Sequence, residues 1–158
     1  MIRIRPADPA SDALRPVLEA HVAHSRSAGP AESNHTLQPD ELTAPDIRFW
    51  AILEDDQVLG CGALKALPDG TAEVKSVHVL PQARGRGLAR RMMEHLAETA
   101  RSEGCTALVL ETGAAHLPAY DAARNLYERL GYSYCGPIAG YDPDPNSAFM
   151  RLALETRL

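Results

Sequence analysis

The chain has 158 residues, 45% of them hydrophobic and 23% charged, a composition suited to one globular domain (residues 1–158) able to bury a core. A net charge of −5 argues against a general nucleic-acid binder, and no apolar run approaches the length of a membrane span. The start, MIRIRPADPAS, has no apolar signal core, and an odd number of scattered cysteines (Cys61, Cys105, Cys135) fits reduced thiols. A cytoplasmic protein with no metal site is therefore expected, each cysteine reading as a small buried hydrophobe in or beside a strand.

Ile2 and Ile4 alternate with arginines and read as a first strand, ended by Pro6. Asp12 is placed to cap a helix over roughly 13–24, with Leu14, Val17, Leu18 and Val22 on one face. Residues 25–46 are rich in Ser, Pro, Asn and Asp and read as a long loop with one short helix near 39–44. Loops of that length in compact domains are commonly functional. Residues 49–53 and 58–67 read as an antiparallel hairpin around Asp55-Asp56-Gln57, and Asp69-Gly70 as a tight turn into a strand over 71–79.

The most informative stretch is TAEVKSVHVLPQARGRGLA, residues 71–89. An alternating strand runs into a glycine-rich turn, which opens directly into an amphipathic helix with Leu88, Ala89, Met92, Met93, Leu96 and Ala100 as its apolar stripe. The first amides of such a helix have no partner within it, and the helix dipole adds partial positive charge there, so the junction suits a phosphate-bearing ligand. Gly85 and Gly87 remove Cβ atoms that would hold a diphosphate off the backbone. Arg84, Arg86, Arg90 and Arg91 gather positive charge on an acidic background, the pattern of a focused anion site.

The helix is expected to end near Ser102, before Gly104. Residues 106–111 read as a short buried strand. A helix over roughly 117–130 carries Ala119, Ala122, Ala123, Leu126, Tyr127 and Leu130, and Gly131 stops it. Residues 132–135 begin another strand, 136–147 form a proline-shaped loop with Tyr141, Asn146 and Ser147, and 148–154 return as the last strand. The order of elements predicts an α/β layered fold with a mixed sheet.

Two segments carry a family resemblance. Gln82-Ala83-Arg84-Gly85-Arg86-Gly87 matches the acyl-CoA signature Gln/Arg-x-x-Gly-x-Gly/Ala, and Ala123 to Tyr132 (ARNLYERLGY) is similar to A-x-x-L-Y-E-x-L-G-F/Y. On these motifs, and on the order of elements over nearly its full length, the chain resembles the GNAT superfamily of N-acetyltransferases. The resemblance implies an α/β (α+β) fold. Its sheet would be twisted, mixed and mostly antiparallel, with about six or seven strands, about four flanking helices, and a splay between strands four and five.

It also implies acetyl-CoA as co-substrate. The diphosphate would sit on the backbone of Arg84, Gly85, Arg86, Gly87, Leu88 and Ala89, with Gln82 opening the motif. The pantetheine arm would lie beside Val77, His78 and Val79. The family's acid maps to Tyr127: the departing thiolate needs a proton, and a phenol with an ordinary pKa of about 10 can give one. An asparagine that many relatives place seven residues earlier is Tyr120 here, and Asn125 is no automatic substitute. For the base, Glu73 occupies a position where relatives often put a water-linked carboxylate, with Glu111 and His78 as other candidates. Lys75 shares alternating parity with Glu73, Val77 and Val79 and could bind a substrate carboxylate, or simply pair with Glu73.

The function so implied is direct transfer of acetyl to a primary amine of a small molecule in a ternary complex. A protein N-terminus or lysine as acceptor is one alternative, and a non-catalytic acyl-CoA-binding module another. Relatives are often dimers, which leaves a homodimer open. Neither nucleic acid nor membrane is expected as a partner.

Overall fold

The computed structural model describes residues 1–28 and 41–155. Most of the loop expected over 25–46 lies outside the described residues. Near its end the expected short helix is a single 3₁₀ turn, Glu41–Thr43, leaving three α-helices among the described residues.

Seven strands form one sheet: β1 (Ile2–Pro6), β2 (Ile47–Glu54), β3 (Gln57–Ala66), β4 (Ala72–Val79), β5 (Ala107–Gly113), β6 (Ser133–Cys135) and β7 (Ser147–Ala153). Their order across the sheet is β1-β2-β3-β4-β5-β7-β6, antiparallel throughout except for the parallel pair β4 and β5. The β2–β3 hairpin turns on Asp55 and Asp56, both with positive φ (48° and 69°), the backbone twist that two-residue hairpins favour.

Helices α1 (Arg15–Ala28), α2 (Leu88–Ser102) and α3 (Asp121–Arg129) pack against this sheet. The expected helix cap differs in detail. Ser11 precedes a 3₁₀ turn leading into α1, and the Asp12 carboxylate takes the Arg15 guanidinium instead. On α2 the stripe Leu88, Met92, Met93, Leu96 and Ala100 is fully buried against Leu64, Val74, Leu108, Leu110 and Met150. Each large apolar side chain withdrawn from water in this way contributes about 1.5–3 kcal/mol. Gly62 makes the close approach possible: a Cβ there would stand 2.6 Å from the Met92 side chain. Across the sheet, Leu14, Val17 and Leu18 meet Phe49, Ala51, Cys61 and Ala63 to form a second core under α1.

Cys61 is buried, Cys105 is half-buried, and Cys135 is exposed on β6, so the expectation of a buried thiol fails at Cys135 because β6 is a three-residue edge strand with all its residues exposed. Among the described residues no helix is long and apolar enough to cross a membrane.

Candidate active site

Two departures from regular geometry shape β4. Opposite β3, Cys61 pairs with His78 and Ala63 with Lys75, so Ser76 and Val77 together face Gly62. This is a bulge, and Ser76 at its centre has φ +55°. The extra residue reverses the alternation. Val74, Val77 and Val79 all pack on the core beneath α2, whereas Glu73, Lys75 and His78 share the face under α1. The parity expected from sequence, with Val77 and Val79 on the face of Lys75, is therefore wrong past Ser76.

The second departure is on the other edge of β4. Its ladder with β5 is two residue pairs long, Ala72–Leu108 and Glu73–Val109. Beyond these the strands splay, and the segment carrying Val77, His78 and Val79 has no strand partner on its β5 side.

The glycine-rich turn follows at the open end of the splay. A 3₁₀ turn, Pro81–Ala83, carries the exposed Gln82, and Gly85 and Gly87 both adopt left-handed backbone (φ 81° and 73°). That conformation explains both glycines before any ligand is considered. A Cβ at either position would meet no protein atom within 4 Å, so the space above the turn is open. Gly87 is the residue before α2 and has no side chain to cap it. The first hydrogen bond of α2 is donated by Arg91 N–H to the Gly87 carbonyl (3.1 Å). The amides of the half-buried Ala89 and its neighbour Leu88 thus face the helix mouth unpaired within the helix.

The arginines are less available than their clustering suggested. The Arg86 fork grips Glu54 at the end of β2 with bonds of 3.1 and 2.6 Å, which lowers the Glu54 pKa. Arg84 Nε donates to the Val79 carbonyl (3.3 Å), Arg90 pairs with Glu94 (2.9 Å), and Arg91 reaches the Ile2 carbonyl (3.5 Å). Each positive charge is partly spoken for, and the backbone amides remain the main donors at this helix mouth.

On the α1 face, Glu73, Lys75 and Tyr141 form a closed triangle. Lys75 Nζ donates to Glu73 Oε2 (2.9 Å) and to the Tyr141 hydroxyl (2.8 Å), and that hydroxyl donates to the same Glu73 oxygen (2.5 Å). The two charged side chains are only 3% and 8% exposed. Burial, with the Glu73 carboxylate adding to it, holds the Tyr141 phenol protonated. The Tyr141 ring packs edge-on against Phe149, 5.5 Å between centroids, so the 136–146 loop is pinned onto the sheet. Of the two roles the sequence offers Lys75, pairing with Glu73 is the one the geometry displays, in a buried rather than an exposed setting.

Further along this face stand three imidazoles. His21 of α1 places Nδ1 3.4 Å from Nδ1 of His78, with ring centroids 5.1 Å apart. His24 lies 6.1 Å from His78 and 5.9 Å from the Tyr120 ring. Tyr120 in turn occupies the space beside Gly113 where any Cβ would clash with it. Side chains thus bridge from β4 to the end of β5 across the open splay. Burial is the main reason that His78 is held down to about 4 and His21 to about 3. The Arg84 charge adds to the effect on His78, and the neighbouring rings add to both.

Tyr127 lies on α3, half-buried against the α2-side core, its ring 5.8 Å from that of Tyr132. Its hydroxyl has no hydrogen-bond partner among the described residues, and burial pushes its pKa up to about 12. Of the other candidates, Glu111 accepts a bond from Ser147 Oγ (2.6 Å), His116 and Asn146 pair at 2.8 Å, and Asn125 is exposed.

One residue escaped the sequence reading. Arg124 is the buried residue of α3, and its guanidinium donates to the carbonyls of Gly113 (2.7 Å), Ala114 (2.8 Å) and Leu117 (3.3 Å) and pairs with Asp121. It ties the end of β5 to the helix bearing Tyr127. Its only sequence signal is a charge beside Ala123 on a face otherwise expected to be apolar.

The acetyltransferase (GNAT) family model matches residues 15–132. An IAA acetyltransferase from Azospirillum brasilense is 39% identical over 155 residues, covering 97% of this chain and 98% of that one. Among solved structures, a Klebsiella pneumoniae chain described as an acyl-CoA N-acyltransferase superposes with a TM-score of 0.78 at 31% identity, covering 98% and 99% of the two chains. The PaiA N-acetyltransferase from Thermoplasma acidophilum, solved with coenzyme A, shares the fold with a TM-score of 0.73 at 15% identity, covering 97% and 99%. With the motif, the splayed strands and the family match in agreement, the chain belongs to the GNAT family of acetyltransferases.

Proposed function

We propose that the chain transfers the acetyl group of acetyl-CoA directly to a primary amine of a small molecule, both substrates being bound at once. The observation that carries this reading is the uncapped mouth of α2 standing at the open end of the β4–β5 splay. A diphosphate at that mouth would be held by the amides from Gly85 to Ala89. An extended pantetheine arm would then run along the unpartnered edge of β4 at Val77, His78 and Val79, and its thioester would arrive beside the bulge.

Tyr127 is assigned the role of acid. Its raised pKa keeps it protonated at neutral pH. The leaving thiolate, expelled into the same dry surroundings, gains proton affinity for the same reason. Glu73 takes two donors on one oxygen, which suits it to anchoring Lys75 and Tyr141 rather than receiving a proton. The 136–146 loop, pinned to the sheet through Tyr141, supports a small acceptor by offering a fixed wall on the α1 side.

The experiment is twofold. Calorimetry with CoA should give saturable binding, and release of free CoA thiol across a broad panel of small amines should identify an acceptor. Absence of CoA binding at millimolar concentration would overturn the reading. Turnover confined to peptide N-termini or lysines would move the acceptor to a protein.

A further inference from the structure

The bulged stretch of β4 holds two buried polar atoms with no partner among the described residues: Ser76 Oγ and His78 Nε2. A buried polar atom left without a partner is costly, so a native structure rarely keeps one without a use. They stand two residues apart on the segment that loses its β5 partner, beside the edge where the thioester would lie. The same ring offers its other nitrogen, Nδ1, to His21 at 3.4 Å. A hydrogen bond between the two rings requires a proton on one of those two Nδ1 atoms. If His78 carries it, His78 Nε2 is bare and is a base.

We propose that His78 Nε2 takes the proton from the attacking amine, and that His21 is the positioning residue that holds His78 in the required tautomer. The proposal rests on the acetyltransferase reading above. The amine nitrogen attacks the acetyl carbon and the C–N bond forms. The proton of that nitrogen passes to His78 Nε2, the C–S bond breaks, and the sulfur takes the Tyr127 proton. His78 then returns a proton to solvent, directly or from Nδ1 through His21, and Tyr127 regains one, so the cycle closes without any other reagent.

The surroundings suit this role. His21 and His24 face His78 from α1, Arg84 from the turn after β4, and Cys61 from β3, whose thiol donates to the Ser76 carbonyl and is itself pushed up to about 12 by burial. Glu73 and Lys75 stand nearer the start of the same strand and neutralise one another. A ring so surrounded stays neutral, and able to accept, across the neutral range. Its weak basicity is matched to the nitrogen of the tetrahedral adduct, acidified by its new bond to carbon, rather than to a free alkylammonium.

Two measurements test the proposal. In the ¹⁵N-labelled full chain at neutral pH, long-range proton–nitrogen correlation should find His78 protonated at Nδ1 and bare at Nε2. A proton on Nε2 overturns the assignment whatever the enzyme acetylates. With an acceptor in hand, His78→Gln should lower kcat about 100-fold at neutral pH, with the deficit shrinking as pH rises and more amine is deprotonated by solvent. His21→Gln should lower kcat by less, on the order of 10-fold, and shift the His78 tautomer population. Wild-type kcat in His78→Gln sinks the base while leaving the acetyltransferase reading intact. A wild-type chain that neither binds CoA nor turns over any amine sinks both.

Discussion

Glu73 and Tyr141, 68 residues apart in sequence, share a hydrogen bond of 2.5 Å that fastens the loop after β6 to the point where β4 and β5 part. Lys75 completes the contact from the same strand, donating to both partners. Tyr141→Phe should therefore remove about 1 kcal/mol of stability and loosen the loop. The acceptor KM should rise several-fold while CoA affinity holds. Glu73→Ala should be far worse, by about 3–5 kcal/mol, because it strands a buried ammonium. Thermal melts and steady-state kinetics check both, and an unchanged acceptor KM in Tyr141→Phe would detach the loop from the acceptor site.

Tyr127 offers a hydroxyl with no hydrogen-bond partner among the described residues, on a helix fixed to β5 by Arg124. Tyr127→Phe should reduce kcat by about 10²–10⁴ with little effect on CoA affinity or on melting temperature. Single-turnover kinetics separate this from slow product release. Retained turnover would remove Tyr127 from the chemistry.

Gly87 has φ 73° and open space where a Cβ would stand. A Cβ at Gly87 meets no neighbouring protein atom within 4 Å, so the main structural cost of Gly87→Val is backbone strain, about 1–2 kcal/mol. Its functional cost should be larger, since the new side chain fills the volume assigned to the diphosphate. We expect CoA affinity to fall more than 10-fold in a chain that still melts cooperatively. Near-normal affinity by calorimetry would relocate the diphosphate.

His21 and His78 predict an acid limb in stability. Both have folded pKa values below their ordinary 6.5, at about 3 and about 4. Between those values and 6.5 the unfolded chain binds more protons than the folded one, so stability falls as pH drops through that window and levels off below it. The loss should be on the order of a few kcal/mol, and replacing both histidines with glutamine should flatten it. Denaturant titrations from pH 7 to about pH 4 measure the slope, and an equally steep acid limb in the double variant would place the titrating groups elsewhere.

Much of this fold could be read from the chain because its signals are local. The alternation in β4, the stripe of α2 from Leu88 to Ala100, and the glycines at 85 and 87 each follow from backbone geometry and side-chain periodicity within a few residues. Other features fooled a local reading. Ser76 has no sequence mark of a positive φ, yet it flips the face of every residue after it, sending His78 toward α1 and Val77 and Val79 toward α2. Arg124 carries no local mark of burial, and the nearby carbonyls of Gly113, Ala114 and Leu117 are what make its burial tolerable.

The sequence alone therefore determined the order of elements, the two motifs and the glycine turn at the uncapped mouth of α2, since these depend on contacts close in the chain. Tertiary structure decided which charges are free to act. It paired Arg86 with Glu54, locked Glu73 between Lys75 and Tyr141, and set His21 against His78, 57 residues away. Those pairings join residues distant in sequence, and their energies depend on separation and burial in space, which no local pattern encodes.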